Sequence, residues 1–172
     1  MLKGYIQVYT GDGKGKTTAA LGLALRAVGA GLRVYLGQFL KRGDYNEIKL
    51  LRARFPEVTV EQYGRGGFIT GPPAPEDQQA AAQGLARLRQ ALTGGHYDLV
   101  IADEAHTAVA LGLFPESQLL ALMDAKPEPV ELVLTGRNAG PAVLDRADLV
   151  TNMTCVKHYH AAGVRGRPGI ES

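Results

Sequence analysis

The stretch YTGDGKGKTTAALG, Tyr9 to Gly22, holds the residue types that bind polyphosphate. Gly11, Gly13 and Gly15 let the backbone curl until successive N–H groups converge on one concavity, an anion nest. A helical pattern follows at once, and a helix aims the positive end of its dipole at the same place. Lys16 adds a mobile full charge for phosphate. Thr17 offers the hydroxyl expected on Mg²⁺ or Mn²⁺. The arrangement matches the phosphate-loop pattern G-x-x-x-x-G-K-[ST] with one departure: Thr10 stands where the first glycine belongs. A glycine-rich turn with a capping threonine is the plain alternative. The loop's place between a strand pattern and a helix pattern argues against it. The expected ATP-binding set is Thr10, Gly11, Asp12, Gly13, Lys14, Gly15, Lys16, Thr17 and Thr18, with Arg137 from a later strand exit.

A second segment supplies acids. DLVIADE is an apolar strand pattern ending in Asp103 and Glu104. One carboxylate there could hold the metal shell, directly or through water. The other could orient water if ATP were hydrolysed. Alone, the pair could equally be acids facing a helix dipole. Beside the glycine loop, the metal reading is favoured, so Thr17, Asp103 and Glu104 are the expected metal residues. Lys16 and Glu104 are the expected catalytic ones. The run DEAH, Asp103 to His106, invites a comparison with helicase motors. Such motors need two motor domains and a basic groove that tracks a strand. The chain has room for one domain and no comparable basic run, and His106 reads as a first-turn helix residue.

The elements that must carry these residues alternate along the chain. YIQVYT, RVYLGQFL, VTVEQY, DLVIADEA, VELVLTG and LVTNMTCV read as six strands. Helical patterns separate them. KTTAALGLALRAVGAG places Leu21, Ala24, Leu25 and Val28 on one face. EDQQAAAQGLARLRQALTGG places Ala81, Leu85, Leu88 and Leu92 inward. YNEIKLLRARF, PESQLLALMDAK and GPAVLDRA complete the set. Alternation of this kind implies an α/β fold with a mostly parallel six-stranded sheet and helices on both faces. Ligands then bind beyond the carboxyl ends of the strands. All six exits are polar or glycine-rich: Thr10 to Asp12, Gln38 to Arg42, Gly64 to Phe68, Asp103-Glu104, Thr135 to Arg137 and Lys157-His158. Residues 1–172 are expected to form one domain, with 156–172 an irregular tail. The loop GRGGFITGPPAP could be a mobile flap.

Bulk composition sets limits. With 172 residues the chain can bury a sizeable core, and 45% hydrophobic content is ordinary for a globular domain. A net charge of +2 is too small to argue for nucleic acid or an acidic membrane surface. No apolar run approaches the roughly 20 residues needed to span a bilayer. Met1 leads straight into a strand pattern rather than a leader. Cys155 stands alone, which excludes an internal disulfide or cysteine metal cluster. A cytoplasmic location is expected.

Thr10 in place of glycine should tighten or shift the cradle and seat the phosphates in a different register. Hydrolases and kinases need attack at the terminal phosphorus. A shifted register would suit attack elsewhere on ATP, such as the ribose 5′ carbon. The segments TGDGKGKTTAALGLALRAVGAG, QFLK, DLVIADE, LVLTGRN, DRADLVT and VKHYHAAGVRGRPGIE together resemble the ATP-dependent corrinoid adenosyltransferases of the P-loop type, over almost the whole chain. That resemblance implies a P-loop NTPase-like, RecA-like fold. It also implies that a reduced corrinoid, with cobalt as Co(I), attacks the 5′ carbon of ATP and releases triphosphate. It implies a homodimer and an electron-donating reductase as partners. It assigns Phe68 to the loop aromatics that displace the corrinoid's lower ligand. A second aromatic of that loop is absent here, with Thr70 near its place. Lys157 and His158 match the family tail, and Lys41 at a strand exit could contact ATP or corrinoid. The competing readings are a small-molecule kinase or an ATP-dependent switch on the same scaffold.

Overall fold

The computed structural model describes residues 3–43, 45–67 and 69–171. Phe68 lies outside them. Among the described residues, six strands form one wholly parallel sheet: β1 (Ile6–Thr10), β2 (Val34–Gln38), β3 (Val58–Gln62), β4 (Leu99–Asp103), β5 (Glu131–Thr135) and β6 (Leu149–Asn152). Their order across the sheet is β3-β2-β4-β5-β1-β6. All six expected strands are present, each a little shorter than its apolar run. The ends fall where polar side chains begin.

The helices are α1 (Lys16–Gly29), α2 (Asn46–Arg54), α3 (Pro75–Thr93), α4 (Ala105–Ala110), α5 (Glu116–Asp124) and α6 (Pro141–Arg146). They cover both faces because the strands are apolar on both. Along β4, Val100 and Ala102 join one core cluster while Leu99 and Ile101 join the other. Successive strand residues point to opposite faces, so a continuous apolar run demands two layers of cover. The side of α3 to α6 takes Leu85, Leu88, Leu92, Leu119 and Leu122. The side of α1 and α2 takes Ala20, Ala24, Ala27, Ile48 and Leu51.

The inward face of α3 is the one its periodicity predicts. The face of α1 is rotated from expectation. Ala20, Ala24 and Ala27 are buried, whereas Leu25 is 46% exposed. Two causes act together. The glycine loop fixes how α1 enters the sheet, and alanines let the helix approach the strands closely. The bulkier leucines are turned toward the rim of the contact.

Among the described residues, three non-glycine residues have positive φ: Leu40 (62°), Glu104 (60°) and Asn138 (60°). They follow β2, β4 and β5. Left-handed backbone is costly for side chains with a Cβ and tends to gather at functional sites. Here all three lie on one rim of the sheet.

His106 opens a face of α4 toward β5 and is 1% exposed. Its Nε2 has no hydrogen-bond partner among the described residues. Burial pushes the imidazole down to about 4, and a backbone hydrogen bond at Leu134 only partly opposes this. The unfolded chain therefore takes up a proton near pH 6.5 while the folded one does not until about pH 4. Stability should be full above pH 6.5 and fall as the pH drops through that window, by about 2 kcal/mol at pH 5. Thermal melts of wild type and His106→Gln across pH 4.5–7.5 check this. The variant's curve should be flatter on the acid side, and parallel curves would count against a buried neutral imidazole.

Candidate active site

Parallel pairing brings the strand exits to one level. Gln38 of β2 lies opposite Asp103 of β4, and Tyr9 of β1 opposite Thr135 of β5. The polar residue ending each strand therefore meets its neighbours above the sheet.

At the centre is the Asp103 carboxylate, with no solvent exposure. Its Oδ1 accepts from the Thr17 hydroxyl at 2.9 Å and the Thr135 hydroxyl at 2.7 Å. Its Oδ2 accepts from Gln38 Nε2 at 2.9 Å and Lys41 Nζ at 2.8 Å. A carboxylate has about four lone-pair sites, so these donors fill them. Gln38 is in turn oriented by Gln62, whose amide nitrogen donates to it at 3.1 Å. Thr135 also receives the Glu104 N–H at 3.0 Å, which anchors the turn after β4.

The glycine loop bends through Gly11 (φ 96°) and Gly15 (φ 117°). Gly15 caps α1 without any side-chain hydrogen bond, so the first amides of that helix have no internal acceptor. The amide of Gly13 is committed elsewhere: it donates to the Met153 carbonyl at 2.7 Å. The expected nest of successive amides therefore starts later, at Lys14 to Thr18, a correction to the sequence reading of Gly13. The chain leaving β6 forms the loop's outer wall. A Cβ on Gly11 would lie 2.2 Å from Asn152 Oδ1, and one on Gly13 2.6 Å from the Met153 carbonyl oxygen. Thr10 is buried, and its hydroxyl accepts the Ala139 N–H at 3.3 Å, tying the loop to the segment after β5.

Lys16 folds across the loop, donating to the carbonyls of Gly11 at 2.6 Å and Gly13 at 2.7 Å. Burial lowers its pKa and the nearby Arg137 lowers it further, against smaller pulls from Glu104, Asp12 and Asp103. Arg137 is exposed, with its backbone held by Thr107 at 3.0 Å.

The two acids part company. Asp103 touches Thr17, whereas the Glu104 carboxylate accepts the Thr107 hydroxyl at 2.6 Å. Lys41, which the sequence allowed to contact ATP or corrinoid, reaches inward to Asp103 and Thr17. Burial opposes its charge, but Asp103 chiefly, then Glu104 and Glu47, raise its pKa overall. Thr17 and Asp103 already hold a cation, the Lys41 ammonium, between two oxygens. That donor set fits a hard divalent ion such as Mg²⁺.

The tail places Lys157 on the surface and the His158 ring beside Tyr159, its Nδ1 accepting the His160 N–H. Residues Tyr159–Ala162 make a short 3-10 turn. Glu171 binds Arg167 and the Tyr159 hydroxyl. Lys14 Nζ reaches the Ile170 carbonyl at 3.3 Å, so the tail folds back beside the phosphate loop. Gln38, Thr135, Met153 and Thr107 were not assigned roles from sequence. A polar residue closing an apolar strand was a signal for the first two. The Met153 contact is made by backbone, which residue types do not reveal.

These contacts make Gly13→Ala a sharp probe. It should sharply weaken triphosphate binding, because the Met153 carbonyl cannot yield without moving β6. Gly22→Ala on the open side of α1, where nothing lies within 4 Å, should instead stabilise by about 0.5–1 kcal/mol. Isothermal titration with triphosphate and thermal melts read both.

A model of the family described as ATP:corrinoid adenosyltransferase BtuR/CobO/CobP matches residues 2–172. A corrinoid adenosyltransferase of Pseudomonas aeruginosa is 33% identical over 98% of this chain and 84% of its own length. Corrinoid adenosyltransferase CobA of Salmonella typhimurium is 34% identical over 98% of this chain and 86% of its own. An uncharacterised protein of Nostoc, all2391, is 36% identical, and the chain spans only 47% of its length. A solved KaiC-like protein of Pyrococcus horikoshii superposes with a TM-score of 0.57 at 18% identity, covering 87% of this chain and 73% of that one. This last likeness concerns the fold.

Proposed function

The chain belongs to the ATP:corrinoid adenosyltransferase family, and from that premise we propose that it transfers the 5′-deoxyadenosyl group of ATP to the Co(I) of a reduced corrinoid. The bond from C5′ to its oxygen breaks as the carbon–cobalt bond forms. Inorganic triphosphate leaves with that oxygen.

One observation carries the reading: cationic and amide groups converge on the glycine loop, while the acid that touches Thr17 is taken up in hydrogen bonds. All four acceptor positions of Asp103 are filled by hydrogen bonds. Glu104 accepts one hydrogen bond, from Thr107. Attack by Co(I) needs no base, because that nucleophile carries no proton. It needs ATP held in line and the charge of a departing triphosphate neutralised. The amides of Lys14 to Thr18, Lys16, and Arg137 beside it answer that need. Thr17 and Asp103 would hold Mg²⁺ or Mn²⁺, which when bound neutralises part of the triphosphate charge.

The remaining parts of the proposal follow the family resemblance. Electrons for the corrinoid come from a separate reductase, and the enzyme works in the cytoplasm as a homodimer. Among the described residues, no helix is long and apolar enough to cross a membrane. The exposed Leu149 and Val150 on the edge strand β6 support a second copy docking there.

Incubation with Mg-ATP and chemically reduced cobalamin should give the adenosylcorrinoid absorption spectrum. ADP released at the same rate without any corrinoid would overturn the reading in favour of a kinase or hydrolytic switch. In that assay Lys16→Ala should lose about 100-fold or more in kcat, the usual cost of removing one preorganised charge from a leaving group. Glu104→Gln should stay within about tenfold of wild type, since general-base catalysis contributes about 100-fold or more where it operates. Complete loss with Mg-ATP binding intact would mean that a base is needed after all.

A further inference from the structure

Lys41 sits where two readings of one site collide. Its ammonium lies 2.8 Å from Asp103 Oδ2 and 3.2 Å from Thr17 Oγ1. These are the two side chains that would hold the metal. The side chain is only 20% exposed, so it is not a surface pair resting against solvent. A divalent ion binding hard oxygens sits about 2.0–2.1 Å from each if it is Mg²⁺. An ammonium and a metal cannot both press on the same pair of oxygens at such range, since like charges a few ångströms apart repel strongly in a buried site.

We propose that Lys41 is an exchangeable cation of the Thr17–Asp103 pair, displaced when metal and triphosphate load, and that its displacement moves the segment after β3. This rests on the reading of Thr17 and Asp103 as the metal residues. The lysine side chain suits exchange: a compact charge on a flexible four-carbon stem can swing from the carboxylate to an incoming phosphate. Asp103 is therefore never left buried and uncompensated. Ammonium neutralises it before loading, and the metal afterwards.

The coupling to the next segment is made by backbone. Leu40 is held at φ 62°, which turns the chain so that Lys41 reaches inward. The Lys41 carbonyl accepts the Gly64 N–H at 3.1 Å. A Cβ on Gly64 would stand 2.6–2.8 Å from Leu40 C and from Lys41 N and O, so the two exits are in direct contact. The Tyr63 N–H donates to the Gln38 carbonyl at 2.9 Å, and the Gly43 N–H to Gln62 Oε1 at 3.2 Å. The exits of β2 and β3 thus form one piece. A lysine that leaves Asp103 pulls on the piece that leads into residues 64–67. Those glycine-rich residues can respond, with Gly66 and Gly67 both at positive φ. Metal–triphosphate loading and the shape of this outer segment become one event.

The test uses Mn²⁺, alone and with inorganic triphosphate, on the full chain. Binding of Mn²⁺ alone is read by the loss of the free-ion electron paramagnetic resonance signal, and binding of preformed Mn²⁺–triphosphate by isothermal titration. Lys41→Met removes the competing charge and should bind Mn²⁺ alone at least about tenfold tighter than wild type. Lys41→Arg keeps a cation and should bind it no tighter than wild type. Hydrogen exchange of wild type should change at residues 62–67 when Mn²⁺ and triphosphate are added. In Lys41→Met that change should be absent or much reduced. Thermal melts verify that each variant is folded, and the wild-type exchange experiment stands even if Lys41→Met is not. Equal or weaker Mn²⁺ affinity in a folded Lys41→Met overturns the proposal alone. So does wild-type loading without any exchange change at residues 62–67. Failure of Mn²⁺ to bind any of these proteins, with or without triphosphate, overturns the metal reading of Thr17 and Asp103 as well.

Discussion

A carboxylate buried without solvent, that of Asp103, organises the rest of this molecule. Removing such an ion from water costs on the order of several kcal/mol unless hydrogen bonds and an opposite charge replace the lost hydration. Thr17, Gln38, Lys41 and Thr135 supply that replacement. They come from the start of α1, the end and exit of β2, and the end of β5. Only a parallel sheet that ends these strands at one level can bring them together. The carboxylate therefore ties the architecture to the chemistry. The apolar strands dictate two covered faces, the covered faces dictate parallel crossovers, and the crossovers deliver polar strand ends to one rim.

The glycine loop belongs to the same frame but is bounded on its other side by the chain after β6. Met153 takes the Gly13 amide and leaves no room for side chains at Gly11 or Gly13. Thr10, where the phosphate-loop pattern has glycine, spends its hydroxyl on the Ala139 amide. The loop is thus pinned from both flanks, and its free amides begin at Lys14. The direct agent of that later start is the Met153 carbonyl, not Thr10. On the proposed function, this seats the triphosphate as a group to be released whole.

Much of this was legible in residue types. Six apolar runs, a glycine loop with Lys16 and Thr17, and an acid after the fourth strand each have a local cause, and each is present. Sequence could not choose between Asp103 and Glu104, because the choice depends on which way a left-handed turn aims two adjacent carboxylates. It placed Lys41 correctly at a strand exit, but its contact with Asp103 needs the β2–β4 register. It misjudged the face of α1, where loop geometry overrides the preference for burying Leu25. It could not see the backbone bond from Gly13 to Met153 at all, since any residue at 153 has a carbonyl. Local physics is written in side chains, and the closing contacts are made by the backbone of distant segments.

The central claim is that this site holds triphosphate as a leaving group while ATP is attacked at carbon. ATP carrying ¹⁸O in the bridge between C5′ and the α-phosphorus tests it directly. After turnover with chemically reduced cobalamin, mass spectrometry should find the label entirely in inorganic triphosphate. The adenosyl product should carry none. Label retained on the nucleoside, or found in ADP or AMP, would place the attack at phosphorus and contradict the account.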